Sequence, residues 1–156
     1  MLKTNDQASL NIFVLTSDGQ ETSLQDTLGS YVVLYFYPKD NTPGCTKEAC
    51  EFRDAEAEMK KLGARVIGVS KDSPKSHQNF ADKYNLNFEL WSDQDHQLIE
   101  AFGAWVQKKK FGKTYMGIAR STFILDPEGK IIKVWENVKP EGHAQEVLEF
   151  LRGKIN

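Results

Sequence analysis

Two cysteines, and no others, occur in the 156 residues, and they stand five apart at Cys45 and Cys50. An apolar run ending at Tyr37 breaks there into a Pro/Gly turn, Pro38 to Gly44, that opens a helix. A helix N-terminus offers unpaired backbone N–H groups and the positive end of the macrodipole, both of which favour a thiolate over a thiol. Cys45 is therefore the candidate nucleophile. Pro38 and Pro43 stiffen the turn and remove two competing N–H donors. Thr42 precedes Cys45 by three residues, so a loop folded over the helix start brings its hydroxyl toward the sulfur or a substrate oxygen; taken alone it reads as a cap or turn residue.

Helical geometry limits what the pair can do. Residues five apart on a helix differ by about 140° around the axis, and their Cα atoms lie about 8.6 Å apart. A disulfide requires about 4.4–6.8 Å. If Cys45 and Cys50 bond, the first turns must unwind, and a redox cycle becomes a conformational cycle. Cys45 falls on a stripe with Ala49, Phe52, Ala55, Met59 and Leu62, which faces a core, whereas Cys50 shares a face with Asp54 and Ala57. The first thiol is expected to be sheltered and the second more exposed. Two inert packing cysteines remain an alternative. A metal site is disfavoured, because no further cysteine is present and the three histidines are scattered.

The surrounding elements must hold this helix in place. Tyr31 to Tyr37 is β-branched and aromatic without alternation, as in a central strand covered on both faces. The helix runs from Gly44 to Leu62 and stops at Gly63. Ala64 to Ser70 reads as a second buried strand, and Ser73-Pro74 starts a helix ending near Tyr84. A short strand is expected at Phe88 to Trp91, and a helix from Asp93 to Phe102 ended by Gly103. An irregular Lys/Gly-rich stretch follows, then a hairpin of Ser121–Asp126 and Ile131–Trp135. Ala144, Val147, Leu148 and Leu151 define a C-terminal amphipathic helix. Leu10 to Leu15, with the turn Ser17-Asp-Gly-Gln20, predicts an N-terminal hairpin. This order implies a mixed central sheet flanked by helices, in one domain over residues 1–156, and resembles a thioredoxin-like α/β fold with an N-terminal β extension.

Net charge of −2 supplies no electrostatic reason for nucleic acid or an anionic membrane as partner, and Lys108-Lys-Lys110 reads as a solvated loop. The first residues lack the apolar core of a signal peptide, and no apolar run is long enough to span a bilayer. A cytoplasmic location is expected, where a close cysteine pair is catalytic, redox-sensing or metal-binding rather than permanently bridged.

The pattern Pro38-x-x-x-Thr42-x-x-Cys45 resembles the active-site motif of the peroxiredoxins. With Cys50 five residues on, the segment is similar to the bacterioferritin-comigratory (Q-type) subfamily, and Arg120 in Gly117 to Asp126 matches the arginine that this family places beside the reactive thiol. The likeness covers most of the chain and is weakest at Ala8-Ser9-Leu10, where the family commonly has Ala-Pro followed by Phe. The resemblance implies a peroxidase without cofactor: Cys45 attacks the peroxide, and Cys50 resolves the sulfenic acid as an intrachain disulfide. Pro38, Thr42, Gly44 and Arg120 bind the substrate, thioredoxin or a similar dithiol acts as reductant, and the protein is a monomer. The preferred peroxide, hydrogen peroxide or an organic hydroperoxide, is not specified. Glu48 reads as an acid complementing the helix dipole and is not assigned to the site, although a bond to the arginine is open to it.

Two other functions compete. A thiol–disulfide oxidoreductase on the same fold uses Cys-x-x-Cys spacing and a proline where Arg120 stands. A redox sensor would use the helix–loop transition to expose a surface to a partner.

Overall fold

The structure, a computed structural model, describes residues 1–155. Strand β1 (Val14–Leu15) pairs antiparallel with β2 (Glu21–Thr22). The central strand β3 (Tyr31–Phe36) leads into helix α1 (Pro43–Lys61), which returns the chain to β4 (Ala64–Ser70), parallel to β3. Helix α2 (Pro74–Tyr84) makes the next crossover to β5 (Glu89–Ser92), parallel to β4. After α3 (Gln97–Ala101) come β6 (Trp105–Lys110) and β7 (Lys113–Ile118), a hairpin of its own. Then β8 (Ser121–Leu125) and β9 (Ile131–Trp135) extend the main sheet antiparallel, and α4 (His143–Ile155) closes the chain. The sheet order is β2-β1-β5-β4-β3-β8-β9, a mixed sheet of the thioredoxin-like kind, with the N-terminal extension at one edge.

Burial on both faces explains why β3 shows no hydrophobic alternation. Val32, Leu34 and Phe36 point to a core with Leu98, Ile99 and Phe102, whereas Val33, Tyr35 and Tyr37 point to a core under α1, α2 and α4. The α1 stripe Cys45, Ala49, Phe52 and Met59 is buried in that second core, as the helical spacing predicts. Phe52 stacks on Tyr35 with ring centroids 4.6 Å apart. Gly63 ends α1 at φ 84°, and the Ser73 side chain caps α2 by accepting from the Ser76 N–H at 3.1 Å. Among the described residues, no helix is long and apolar enough to cross a membrane.

The structure corrects four details. The N-terminal hairpin is much shorter than Leu10 to Leu15, because Leu10 and Ile12 pack on the core without entering a ladder. The short strand begins at Glu89 and extends through Ser92. The helix expected from Asp93 starts only at Gln97, because the Asp93 carboxylate accepts from the Ile99 N–H at 2.8 Å and His96 takes a left-handed φ of 49°. The Lys/Gly-rich stretch is not irregular but the β6–β7 hairpin, turning on Phe111 and Gly112 at φ 52° and 76°. Two left-handed residues suit a tight hairpin, and most side chains of the ladder are exposed, so no apolar alternation marks it in the sequence.

Phe52 is the anchor that fixes the middle of α1 to the sheet. Phe52→Ala removes a fully buried ring and is expected to cost about 3–5 kcal/mol in urea unfolding.

Candidate active site

After β3 the chain turns through Pro38 to Asn41, and a buried network holds that turn. Asp40 sits at its centre: its carboxylate accepts from the Tyr37 hydroxyl at 2.5 Å and from the Ser76 hydroxyl at 2.7 Å. His77 Nδ1 lies 2.7 Å from the same carboxylate, and its Nε2 donates to the Trp91 carbonyl at 2.9 Å. Asp72 accepts from the Asp40 N–H at 2.8 Å and from the Ser70 hydroxyl at 2.7 Å. These contacts occupy the facing atoms of Asp40, Asp72 and His77, so the cluster ties the turn to α2 and β5. Its signal in the sequence is faint, because Asp72, Ser76 and His77 lie more than thirty residues from Asp40.

The turn delivers Thr42 as N-cap and Pro43 as the first helical residue. The Thr42 carbonyl accepts the Thr46 N–H at 2.8 Å, but its hydroxyl donates to the Lys39 carbonyl at 2.8 Å and does not cap the helix. Having spent its proton, that hydroxyl is left to accept a hydrogen bond. Pro43 has no N–H, so the first-turn N–H groups at Gly44 and Cys45 are the ones a bound oxygen can use. Cys45 is 2% exposed, whereas Cys50 is half-buried, and both are free thiols.

Arg120, between β7 and β8, completes the arrangement. Its Nη2 donates to Cys45 Sγ at 3.2 Å and its Nη1 to Glu48 Oε1 at 2.6 Å. Gly44 leaves room for the guanidinium: a Cβ there would stand 3.3 Å from Arg120 Nη2 and 3.4 Å from Pro140 Cγ, so Arg120 would have to give by a few tenths of an ångström. The Arg120 carbonyl accepts the Val138 N–H at 3.0 Å, which brings the segment before α4, including Pro140, over the helix start. Neither Pro140 nor Val138 carries a chemical signature in the sequence; only the tertiary contact reveals them. Pro38 lies exposed at the rim.

Glu48, left outside the site by its position in the sequence, is 1% exposed and joined to Arg120. Burial pushes its carboxyl up to about 7, against the pull of the Arg120 guanidinium. Its Oε2 has no hydrogen-bond partner among the described residues, so nothing at that oxygen offsets the desolvation that raises the carboxyl. The guanidinium is thus shared between a thiol sulfur and an acid whose charge depends on pH. The Tyr35 hydroxyl, also buried without a partner, is itself pushed well up by burial, with Glu48 adding to the effect.

A buried sulfur beside a helix N-terminus, a guanidinium on that sulfur and a hydroxyl left to accept form a site for attack on an electrophilic oxygen. Residues 5–134 match the AhpC/TSA family. The chain belongs to that family. Among its relatives, a putative peroxiredoxin of the bcp type from Coxiella burnetii is 54% identical over 138 residues, covering 88% of this chain and 91% of the relative. Peroxiredoxin Bcp of Bacillus subtilis is 53% identical, covering 86% and 85%. A PrxQ mutant of Xylella fastidiosa superposes with a TM-score of 0.95 at 38% identity, covering 100% of this chain and 99% of that one. The bacterioferritin comigratory protein of Xanthomonas campestris, whose structures concern alkyl peroxide reduction, has a TM-score of 0.90 at 41% identity, covering 97% and 100%. The family is as the motif around Cys45 implies, and the thioredoxin-like fold is as the order of elements implies.

Two outcomes test the electrostatics. Glu48 holds its proton more tightly folded than unfolded, so its contribution to stability is full below about 4.5 and falls as pH rises to about 7. Urea unfolding of Glu48→Gln beside the parent protein should therefore shift the difference toward the variant by on the order of 3 kcal/mol across that window. A pH-independent difference would contradict the raised value. Gly44→Ala, which crowds Arg120, should slow oxidation of Cys45 by about tenfold, one charge-assisted hydrogen bond's worth, in a thiol-loss assay.

Proposed function

We propose that the chain is a thiol-dependent peroxidase in which Cys45 reacts with the peroxide and Cys50 resolves the product, within a single domain over residues 1–156. The observation that carries this reading is the 3.2 Å contact between the Arg120 guanidinium and the buried Cys45 sulfur at the start of α1. A thiolate is the attacking species. The sulfur attacks the terminal oxygen of ROOH, the O–O bond breaks, and RO⁻ leaves and takes up a proton, while the S–OH bond of a sulfenic acid forms. The Thr42 hydroxyl, whose own proton is held by the Lys39 carbonyl, accepts a hydrogen bond from the substrate's O–H. Arg120 and the N–H groups of Gly44 and Cys45 face the charge that grows on the oxygens, and Pro38 and Gly44 shape the entry.

The sulfenic acid is then attacked by the Cys50 thiolate. Its electron pair forms the S–S bond, the S–O bond breaks, and hydroxide leaves to become water. Both cysteines lie in one continuous helix, so this step requires α1 to open near its start. A dithiol protein of the thioredoxin type returns the disulfide to two thiols, the protein acts as a monomer in the cytoplasm, and both hydrogen peroxide and organic hydroperoxides serve as substrates.

Cys45→Ser should abolish turnover. Cys50→Ser should consume one equivalent of hydrogen peroxide and stop with one added oxygen by intact mass, whereas the parent protein should lose two hydrogens and both free thiols. Undiminished turnover by the Cys45 variant would sink the reading.

A further inference from the structure

The half-buried Cys50 has a partner of its own. Arg53, one turn further along α1, donates from Nη1 to Cys50 Sγ at 3.6 Å and from the same Nη1 to the Tyr84 carbonyl at 2.8 Å. Its Nε donates to Asp54 Oδ1 at 3.0 Å, and its side chain is 31% exposed. The guanidinium is therefore fixed between the second thiol and the end of α2. We propose that Arg53 is a positioning residue for resolution, holding positive charge beside the Cys50 sulfur as it attacks the Cys45 sulfenic acid. The inference rests on the peroxidase reading above.

The contacts around Arg53 also place it at a natural stop for the opening of α1. The three residues that follow Cys50 are pinned in three directions. Glu51 Oε1 accepts the Gly142 N–H before α4 at 2.8 Å, the Phe52 ring is buried on Tyr35, and the Arg53 carbonyl accepts from Asn87 Nδ2 at 3.2 Å. Tyr84 brackets the other end, since its hydroxyl donates to Asn41 Oδ1 at 3.0 Å. The pinned residues begin directly after Cys50, so the turns that must unwind lie between Asn41 and Ala49, with Cys50 at their edge and Arg53 anchored just beyond it. When Cys45 leaves the first turn to reach Cys50, Cys50 and Arg53 both stay with the stationary part of the helix. Its charge remains next to the attacking sulfur, where a thiolate needs a cation that does not have to be recruited. In the step itself the Cys50 thiolate supplies the electron pair of the new S–S bond, and hydroxide leaves Cys45 and is protonated to water.

One nitrogen, Nη1, makes both contacts, so a lysine ammonium with its three hydrogens can replace it, whereas a glutamine amide supplies the hydrogen bonds without the charge. Single-turnover rapid quench with one equivalent of hydrogen peroxide, with dimedone capture of sulfenic acid and mass readout, separates the two steps. Arg53→Gln should form the sulfenic acid at the parent rate and lengthen its lifetime about tenfold, and Arg53→Lys should recover most of the resolving rate. Resolution by Arg53→Gln at the parent rate would overturn the inference, as would equal slowing of both steps or no recovery with lysine. Failure of the parent protein itself to form the Cys45–Cys50 disulfide would instead remove the peroxidase reading beneath it.

Discussion

The contact on which the site depends is the one between Arg120 and Cys45, because it joins the start of α1 to the link between β7 and β8 through a single guanidinium. That group lies beneath a glycine, with Glu48 on its other side, and is largely removed from water. A cation in such surroundings acts on the sulfur more strongly than an exposed one would. Burying it requires a compensating partner, and Glu48 supplies that partner. The acid is itself so buried that its carboxyl rises to about 7, which makes the charge balance around the sulfur responsive to pH near neutrality.

The same burial creates the central conflict of the molecule. Cys45, Glu48 and Ala49 belong to the apolar and ionic packing under α1, yet a bond between Cys45 and Cys50 requires those turns to leave the helix. The fold localises the disturbance. Upstream, the Asp40 network with Tyr37, Ser76 and His77 holds the turn to α2; downstream, Glu51, Phe52 and Arg53 fasten the rest of α1 to three different neighbours. Such an opening would give up the contacts of about two helical turns, with the sheet and the C-terminal half of the helix held by those anchoring contacts.

Much of this was legible in the sequence where the signal is local. The apolar stripe on α1, the Ser73-Pro74 helix start, the run from Tyr31 and the hairpin around Asp126 to Lys130 each rest on neighbouring residues and appear in the structure close to where the sequence puts them. Two of the misreadings share a cause. The β6–β7 hairpin lacks an apolar face to advertise itself, and the helix after Asp93 is cut short by a carboxylate that caps from a distance. In both, hydrogen bonds decided an element that no hydrophobic pattern marked.

By itself the sequence determined the chemistry that residue types and spacing dictate: a thiol at a helix start, a second thiol too far along the same helix to bond without unwinding, and an arginine after the β7 strand that the peroxiredoxin pattern marks. Only the tertiary structure decided which charges meet those thiols. Glu48 became part of the site because burial and Arg120 act on it together, and Arg53 meets Cys50 because the end of α2 holds it there. Spacing along a helix is set by the backbone and can be read from the chain. The electrostatic surroundings of a side chain depend on which distant segments pack over it, and that is fixed only when the fold closes.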